Sequence, residues 1–296
     1  MIIAVASGKG GTGKTTVATS LALAAGGSTH AAGSNTADVL YLDCDIEAPN
    51  AHLFLKPTFQ VRREVGILIP VVDESLCTHC GRCAEVCQYH AIAVLGKKTL
   101  VFPQLCHGCG SCTRECPAGA IREKLNVIGV LEHGSTTDGM EFGRGVLDIG
   151  EPMAVPIIRQ LKTWLPARPG QLVIRDSPPG TSCPVVETLR GADFSLLVTE
   201  PTPFGLHDLK LAVAVAAELA IPVGVVINRD GLGDQQVDDF CTEAGLPILL
   251  RIPFDRRIAE AVSRGQALVT ALPEYYPQFK ALLDHITRAV TERGRL

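Results

Sequence analysis

Eight of the eleven cysteines lie in two sixteen-residue runs, CTHCGRCAEVCQYHAI from Cys77 and CHGCGSCTRECPAGAI from Cys106. Each run spaces its thiols as C-x2-C-x2-C-x3-C and closes on Ala-Ile. Thiolates gathered at such short, repeated intervals are metal ligands, so this stretch must wrap around metal rather than fold as a long helix or strand. Gly81 and Gly110 leave room for the backbone to turn closely, and Ile92 and Ile121 can screen the enclosed centre from water. Zinc also takes four thiolates, and C-x2-C pairs occur in zinc ribbons. It needs no third cysteine at the same interval followed by a fourth.

The duplicated run resembles that of two-cluster bacterial ferredoxins, with Cys116-Pro117 matching their pattern and Gln88 replacing the corresponding proline in the first run. The resemblance implies two [4Fe-4S] clusters, each completed by the fourth cysteine of the other run. One takes Cys77, Cys80, Cys83 and Cys116; the second takes Cys106, Cys109, Cys112 and Cys87. His79, His90 and His107 occupy no ligand position in that scheme and are read as surface residues, as are Arg82, Lys97, Lys98 and Arg114.

A second constraint stands at the N-terminus, where the apolar run Ile2 to Ala6 leads into SGKGGTGKTT and an alanine-rich helical stretch. Gly8, Gly13, Lys14 and Thr15 fit G-x4-G-K-[ST], the loop whose amides, lysine and hydroxyl hold phosphates and magnesium. With Lys9, the KGGTGKT form resembles the deviant Walker A motif of the MinD/ParA/Mrp/nitrogenase iron protein superfamily. Other segments agree with that resemblance. VLYLDCD, from Val39 to Asp45, leads to Ile46-Glu47-Ala48-Pro49-Asn50, which looks like the first switch. Asp176-Ser177-Pro178-Pro179-Gly180-Thr181 looks like the second, in its Mrp-type DxPPGT form. Asn228-Arg229 is similar to the family's adenine-recognition site, and Ile252-Pro253-Phe254-Asp255 to its base-packing loop.

The resemblance implies an α/β fold, a mostly parallel sheet flanked by helices, that binds MgATP. Gly8, Lys9, Gly10, Gly11, Thr12, Gly13, Lys14, Thr15 and Thr16 would cradle the nucleotide with Asn228, Arg229 and Pro253. Lys14 and Thr15 would hold phosphates and magnesium, Asp45 would position the attacking water, and Asp176 would support magnesium through its water shell. Lys9 would cross the interface of an ATP-dependent homodimer, or of a heterodimer with a paralogue. Asp43 is open between a catalytic role and that of a carboxylate capping nearby backbone amides.

With 296 residues and 46% hydrophobic content, the chain can bury one large core plus a small module. The expected divisions are residues 1–58 and 126–296 for the ATPase domain and 59–125 for an inserted ferredoxin-like α+β domain. Residues His133 to Gly150 read as a glycine-rich stretch, Val155 to Trp164 as a helix, and Leu209 to Ile227 as a buried helix followed by a buried strand. A net charge of −4 gives no broad basic surface for nucleic acid. In the last helix, Arg288, Arg293 and Arg295 accompany Leu282, Leu283, Ile286 and Val290. Asp284, His285 and Glu292 interrupt them, so a core-packing helix is expected rather than a membrane anchor. Cysteines committed to clusters, and first residues that read as a strand, point to a reducing cytoplasm.

Cys183 lies seven residues beyond Asp176, the spacing of one bridging-cluster ligand in the nitrogenase iron protein. No second cysteine stands between Val127 and Ile149, and Cys183-Pro184-Val185-Val186 departs from the CPxC of Mrp carriers. Cys44, Cys183 and Cys241 are therefore read as small apolar core residues. The expected function is ATP-gated electron transfer to a protein redox partner. A cofactor-assembly ATPase acting on a client, like Mrp, is the alternative, and a positioning ATPase like MinD or ParA the third reading.

Overall fold

The computed structural model describes residues 1–26 and 38–293; Arg295 lies outside the described residues. In chain order the strands are β1 (Ile2–Ala6), β2 (Val39–Asp43), β3 (Thr58–Val72), β4 (Ile92–Leu95), β5 (Lys98–Val101), β6 (Ile121–Ser135), β7 (Glu141–Leu147), β8 (Leu172–Asp176), β9 (Phe194–Thr199), β10 (Val223–Asp230) and β11 (Ile248–Pro253). Nine of them form one sheet in the order β11-β10-β9-β1-β8-β2-β7-β6-β3. From β11 to β7 every pairing is parallel, whereas β6 runs antiparallel to both β7 and β3. The parallel strands are covered on both faces, which is why they read as unbroken apolar runs.

The helices are α1 (Lys14–Ala25), α2 (His52–Leu55), α3 (Arg82–Glu85), α4 (Ser111–Arg114), α5 (Val155–Trp164), α6 (Cys183–Leu189), α7 (Pro203–Glu218), α8 (Gln236–Glu243), α9 (Arg256–Ser263), α10 (Leu268–Ala271) and α11 (Tyr276–Arg293). Alternation along β1 sends Ile3 and Val5 to one face and Ala4 and Ala6 to the other. The first face buries α1, α10 and α11 through Val17, Leu21, Leu268, Phe279, Leu282 and Ile286. The second buries α6, α7 and α8 through Val185, Leu209, Ala212 and Val237. Thus α11 packs on the core, and no described helix is long and apolar enough to cross a membrane.

Strands β3 and β6 pair along their whole length, from Thr58 opposite Ser135 to Val72 opposite Ile121. Half of this ribbon belongs to the main sheet, through the pairing of Gly129–Ser135 with β7. The other half projects outward and carries the cysteine runs, the β4–β5 hairpin and the short helices α3 and α4. The strands continue unbroken through residues 59 and 125. The side chain of Gln160 on α5 donates to the Gly66 carbonyl (2.9 Å), at the register shift between Val65 and Gly66.

The glycine-rich stretch His133 to Gly150 holds the end of β6 and all of β7, and so forms an interior part of the sheet. Its glycines answer to packing: a Cβ on Gly143 would meet Leu165 Cδ1 at 2.3 Å, and one on Gly145 would meet Ile157 Cγ2 at 2.6 Å and Ile46 Cγ2 at 2.8 Å. Helix α5 lies so close to β7 that only glycine fits beneath it. Gly145→Val should therefore destabilise the protein by about 1–3 kcal/mol through overpacking, despite valine's strand preference. Thermal denaturation followed by circular dichroism measures this, and an unchanged midpoint would contradict the close approach.

Candidate functional site

At the carboxyl ends of the parallel strands, the loop after β1 turns into α1 through Gly13, whose φ of 93° is left-handed and caps the helix. A Cβ there would stand 2.3 Å from Nδ2 of Asn228. That amide donates to the Thr12 carbonyl (2.7 Å), which ties the end of β10 to the loop. The cleft over the loop has a volume of about 470 Å3. Of the residues expected to hold nucleotide, Gly10, Gly11, Gly13, Lys14, Thr15, Thr16, Asn228, Arg229 and Pro253 line it, as does Asp45. Gly8 is packed against the Asp208 carbonyl of α7, and the Thr12 side chain is buried.

Lys9 does not line this cleft. Its Nζ lies 3.2 Å from Oε2 of Glu200, whose Oε1 accepts from Arg229 (2.6 Å). One buried glutamate at the end of β9 therefore holds two cations from the rim of the site.

Beneath the loop, Asp43 and Asp176 stand opposite each other at the ends of β2 and β8. Both carboxylates are fully buried. Asp43 accepts from the N–H groups of Asp45 (3.2 Å) and Ala51 (3.1 Å), so the structure assigns it the capping role at the base of the first switch. Asp176 Oδ2 accepts from the Tyr41 hydroxyl (3.0 Å), while its Oδ1 is buried with no partner among the described residues. Burial, and then the neighbouring Asp176 charge, push the Asp43 acid well above the ordinary carboxylate range. Burial likewise raises Asp176 to about 6, against the pull of Lys14, and raises Asp45, again opposed by Lys14. An excess of buried negative charge beside a lysine, with an orphaned carboxylate oxygen, fits a site for hydrated magnesium and phosphate.

The second switch is tied to the loop by backbone bonds from Ser177 N–H to the Val5 carbonyl (2.9 Å) and from Gly180 N–H to the Ser7 carbonyl (3.0 Å). Sequence reasoning missed the opposite wall of the cleft: Phe54 from α2, and Ile258, Ala259, Val262 and Ser263 from α9. Only the amphipathic pattern of α9 hinted at a second role. Phe254 lines the cleft and is 61% exposed.

The cysteine runs enclose two cavities. Cys77, Cys80, Cys83 and Cys116 line one, with Val72, Val94, Thr99 and Ile121. Cys87, Cys106, Cys109 and Cys112 line the other, with Leu68, Ala91, Ile92 and Glu123. None of the eleven cysteines is in a disulfide. The repeat extends to the backbone: Ala91 N–H points at Cys87 Sγ (3.3 Å) and Ala120 N–H at Cys116 Sγ (3.4 Å). Gly81 and Gly110 cap α3 and α4 in left-handed conformations. Four convergent thiols with amide donors and an apolar wall fit an iron–sulfur cluster in each cavity.

Two expectations change. Cys44 and Cys241 are buried, but Cys183 is exposed, because it opens α6 just after the second switch rather than facing the sheet. His79 is not a free surface residue: its Nδ1 lies 3.6 Å from Cys77 Sγ and its Nε2 lies 3.7 Å from Glu74. His107 stacks on Tyr89.

Because Asp176 is held up to about 6 against 3.8 for the ordinary acid, the folded chain keeps a proton over that interval that the unfolded chain releases. Without nucleotide, stability should fall as pH rises from about 4 to 6. Asp176→Asn should weaken this dependence, to which the raised Asp43 and Asp45 contribute with the same sign, and stabilise the nucleotide-free protein at pH 7 by roughly 1–3 kcal/mol. Thermal melts across pH test this; a variant less stable at pH 7 would mean that the Tyr41 bond outweighs burial.

Residues 3–269 match the CobQ/CobB/MinD/ParA nucleotide binding domain family. Two uncharacterized proteins of Methanocaldococcus jannaschii are each 31% identical to the chain, one over 91% of both sequences, the other over 97% of this chain and 96% of its own length. Iron-sulfur cluster carrier proteins match over a shorter stretch: that of Aquifex aeolicus is 30% identical over 34% of this chain and 32% of its own length, and that of M. jannaschii is 28% identical over 39% and 45%. Among solved structures, the cell division ATPase MinD of Pyrococcus furiosus has a TM-score of 0.57 at 22% identity, over 97% of this chain and 98% of its own. MinD of Pyrococcus horikoshii, complexed with Mg-ADP, has a TM-score of 0.56 at 20% identity, over 96% and 95%. A matched domain spanning nearly the whole chain, on the sheet and phosphate loop described above, makes this protein a member of the CobQ/CobB/MinD/ParA nucleotide binding domain family.

Proposed function

We propose that this protein is a magnesium-dependent ATPase carrying two [4Fe-4S] clusters, in which nucleotide-dependent dimerisation is coupled to electron transfer. The observation that carries the reading is the partition of eight cysteines between two cavities, four to each, with one in every set drawn from the other run. Bound clusters supply one-electron redox chemistry. The inserted module, residues 59–125, holds them, and the ATPase domain, residues 1–58 and 126–296, holds the nucleotide.

Phosphoryl transfer of this kind rests on positioning and charge stabilisation rather than covalent catalysis. Lys14 holds the β- and γ-phosphates, and the Thr15 hydroxyl and Asp176, the latter through water, hold magnesium. Asp45 orients the attacking water. Asn228 and Arg229 face the base, against Pro253. Lys9 leaves Glu200 to reach the nucleotide of a partner subunit, a second copy or a paralogue. The electron acceptor is a protein redox partner in a reducing cytoplasm.

A cofactor-assembly ATPase acting on a client protein is the second reading. The partial likeness to the two iron-sulfur cluster carrier proteins favours it. Four internal thiolates per cavity oppose it, because they would hold a cluster too firmly for delivery. A positioning ATPase has no use for the cysteine module.

Lys14→Ala should abolish nucleotide binding, measured by calorimetry. Lys9→Ala should keep binding but lose dimer-dependent hydrolysis, and full turnover in that variant would remove its crossing role. Cluster midpoint potentials, followed by EPR in anaerobic protein with MgADP or a non-hydrolysable MgATP analogue, test the coupling. A tenfold difference in nucleotide affinity between redox states appears as a shift of ~59 mV in a one-electron couple. Identical potentials in every nucleotide state would reject coupled electron transfer and favour the assembly reading.

A further inference from the structure

The two cysteine cavities do not stand in the same relation to the nucleotide site. Ile46 follows Asp45 directly in the first switch and is 1% exposed. Its carbonyl accepts from Leu147 N–H (2.9 Å), and its side chain fills the space over Gly145 that a Cβ would contest. Ile157 of α5 fills the other side of that space and also crowds Gly129 of β6, where a Cβ would meet its Cδ1 at 2.7 Å. One turn on, Gln160 of the same helix bonds the ribbon at Gly66.

These residues belong to a single buried apolar cluster. It runs from Cys44 and Ile46 through Val65, Ile67 and Ile69 to Ala91 and Cys106. Its far end lies within the second cavity's wall: Cys106 is one of the four thiols there, and Ala91 N–H points at another, Cys87. Gly108, two residues past Cys106, is pressed on β3, since a Cβ would lie 3.1 Å from the Leu68 carbonyl and 3.2 Å from Ile67 Cβ. The other cavity sits at the tip of the ribbon, in a second apolar cluster of Cys83, Ile92 and Ile121 flanked by Val72, Val94 and Val101, which touches the inner cavity only at its edge, through Ile92, Cys87 and Cys112. No residue of either switch belongs to that cluster. At the position matching Gly108 it carries His79, whose side chain meets Thr99 and Glu74 instead of β3.

We propose that the nucleotide acts directly on only one of the two centres. Ile46 transmits movement of the first switch through α5 and the ribbon to the inner centre, held by Cys87, Cys106, Cys109 and Cys112, and reaches the outer one only at second hand, where Cys87 and Cys112 border its cluster. The inference rests on the proposed function, and it names which centre is regulated and the side chain responsible. Close-packed interiors shift between discrete arrangements rather than yielding gradually, so a displaced Ile46 must move the wall it touches. Amide-to-sulfur bonds such as Ala91 to Cys87 set the potential of such a centre, so sub-ångström shifts there are read out as redox changes.

The test is the EPR-monitored titration of the full chain with and without a non-hydrolysable MgATP analogue, with iron analysis alongside. Cys109→Ser and Cys80→Ser assign the inner and outer signals. The analogue should move the inner midpoint by clearly more than the outer one. Ile46→Ala should still bind about eight irons and the analogue, yet lose the shift. Ile46→Val, which removes one methylene, should retain part of it and serves if the alanine variant does not fold. A larger shift of the outer centre, equal shifts of both, or a full shift in a folded Ile46 variant that binds the analogue would overturn the proposal. Absence of any shift in the wild type rejects the coupled function together with this route, whereas a shift that ignores Ile46 rejects the route alone.

Discussion

The antiparallel pairing of β3 with β6 is the constraint on which the molecule depends. Fourteen of the fifteen residues in each strand pair with the other along a ribbon that spans both the main sheet and the cysteine module, so the two parts share backbone rather than a linker. A flexible tether would let the module drift relative to the switches. A ribbon anchored by β7 on one side and pinned at Gly66 by Gln160 transmits orientation from one to the other. The close approach of α5 to β7 completes the clamp, since Ile157 wedges between Ile46, Gly145 and Gly129.

The nucleotide end of the sheet is organised by unfavourable electrostatics held in place by packing. Asp43 and Asp176 are buried side by side, and neither forms an ion pair among the described residues. Asp43 satisfies itself with two backbone amides and so shapes the first switch. Asp176 is left with one oxygen unmet, under a phosphate loop whose lysine is itself almost wholly buried. Such an arrangement costs stability in the free protein and would be relieved by a bound cation, the usual trade between a prepared site and a relaxed fold. At the rim, Glu200 holds both Lys9 and Arg229.

Local chemistry was legible in the sequence wherever spacing alone carries the meaning. The phosphate loop, the strands before Asp45 and Asp176, the helix Val155–Trp164 and the final core-packing helix follow from motif and apolar periodicity, which depend on near neighbours. Strand β7 was hidden, because Gly143 and Gly145 answer to a helix that lies later in the chain. For the same reason Cys183 read as a core residue, although its exposure is set by where α6 begins after the switch. The role of His79 was out of reach as well: its contacts with Glu74 and Thr99 exist only once the hairpin folds back.

The sequence by itself determined the chemical inventory: which residues can hold phosphate, which eight thiols can hold metal, and that one α/β core can accommodate both. Tertiary structure alone decided how these parts face each other. It grouped the cysteines into two cavities, sent Lys9 to Glu200, gave Asp43 its backbone partners and set one cavity closer to the first switch. The physical reason is range. Ligand type and turn chemistry are properties of neighbouring residues, whereas register, burial and close packing are settled only when strands distant in sequence pair and exclude water from between them.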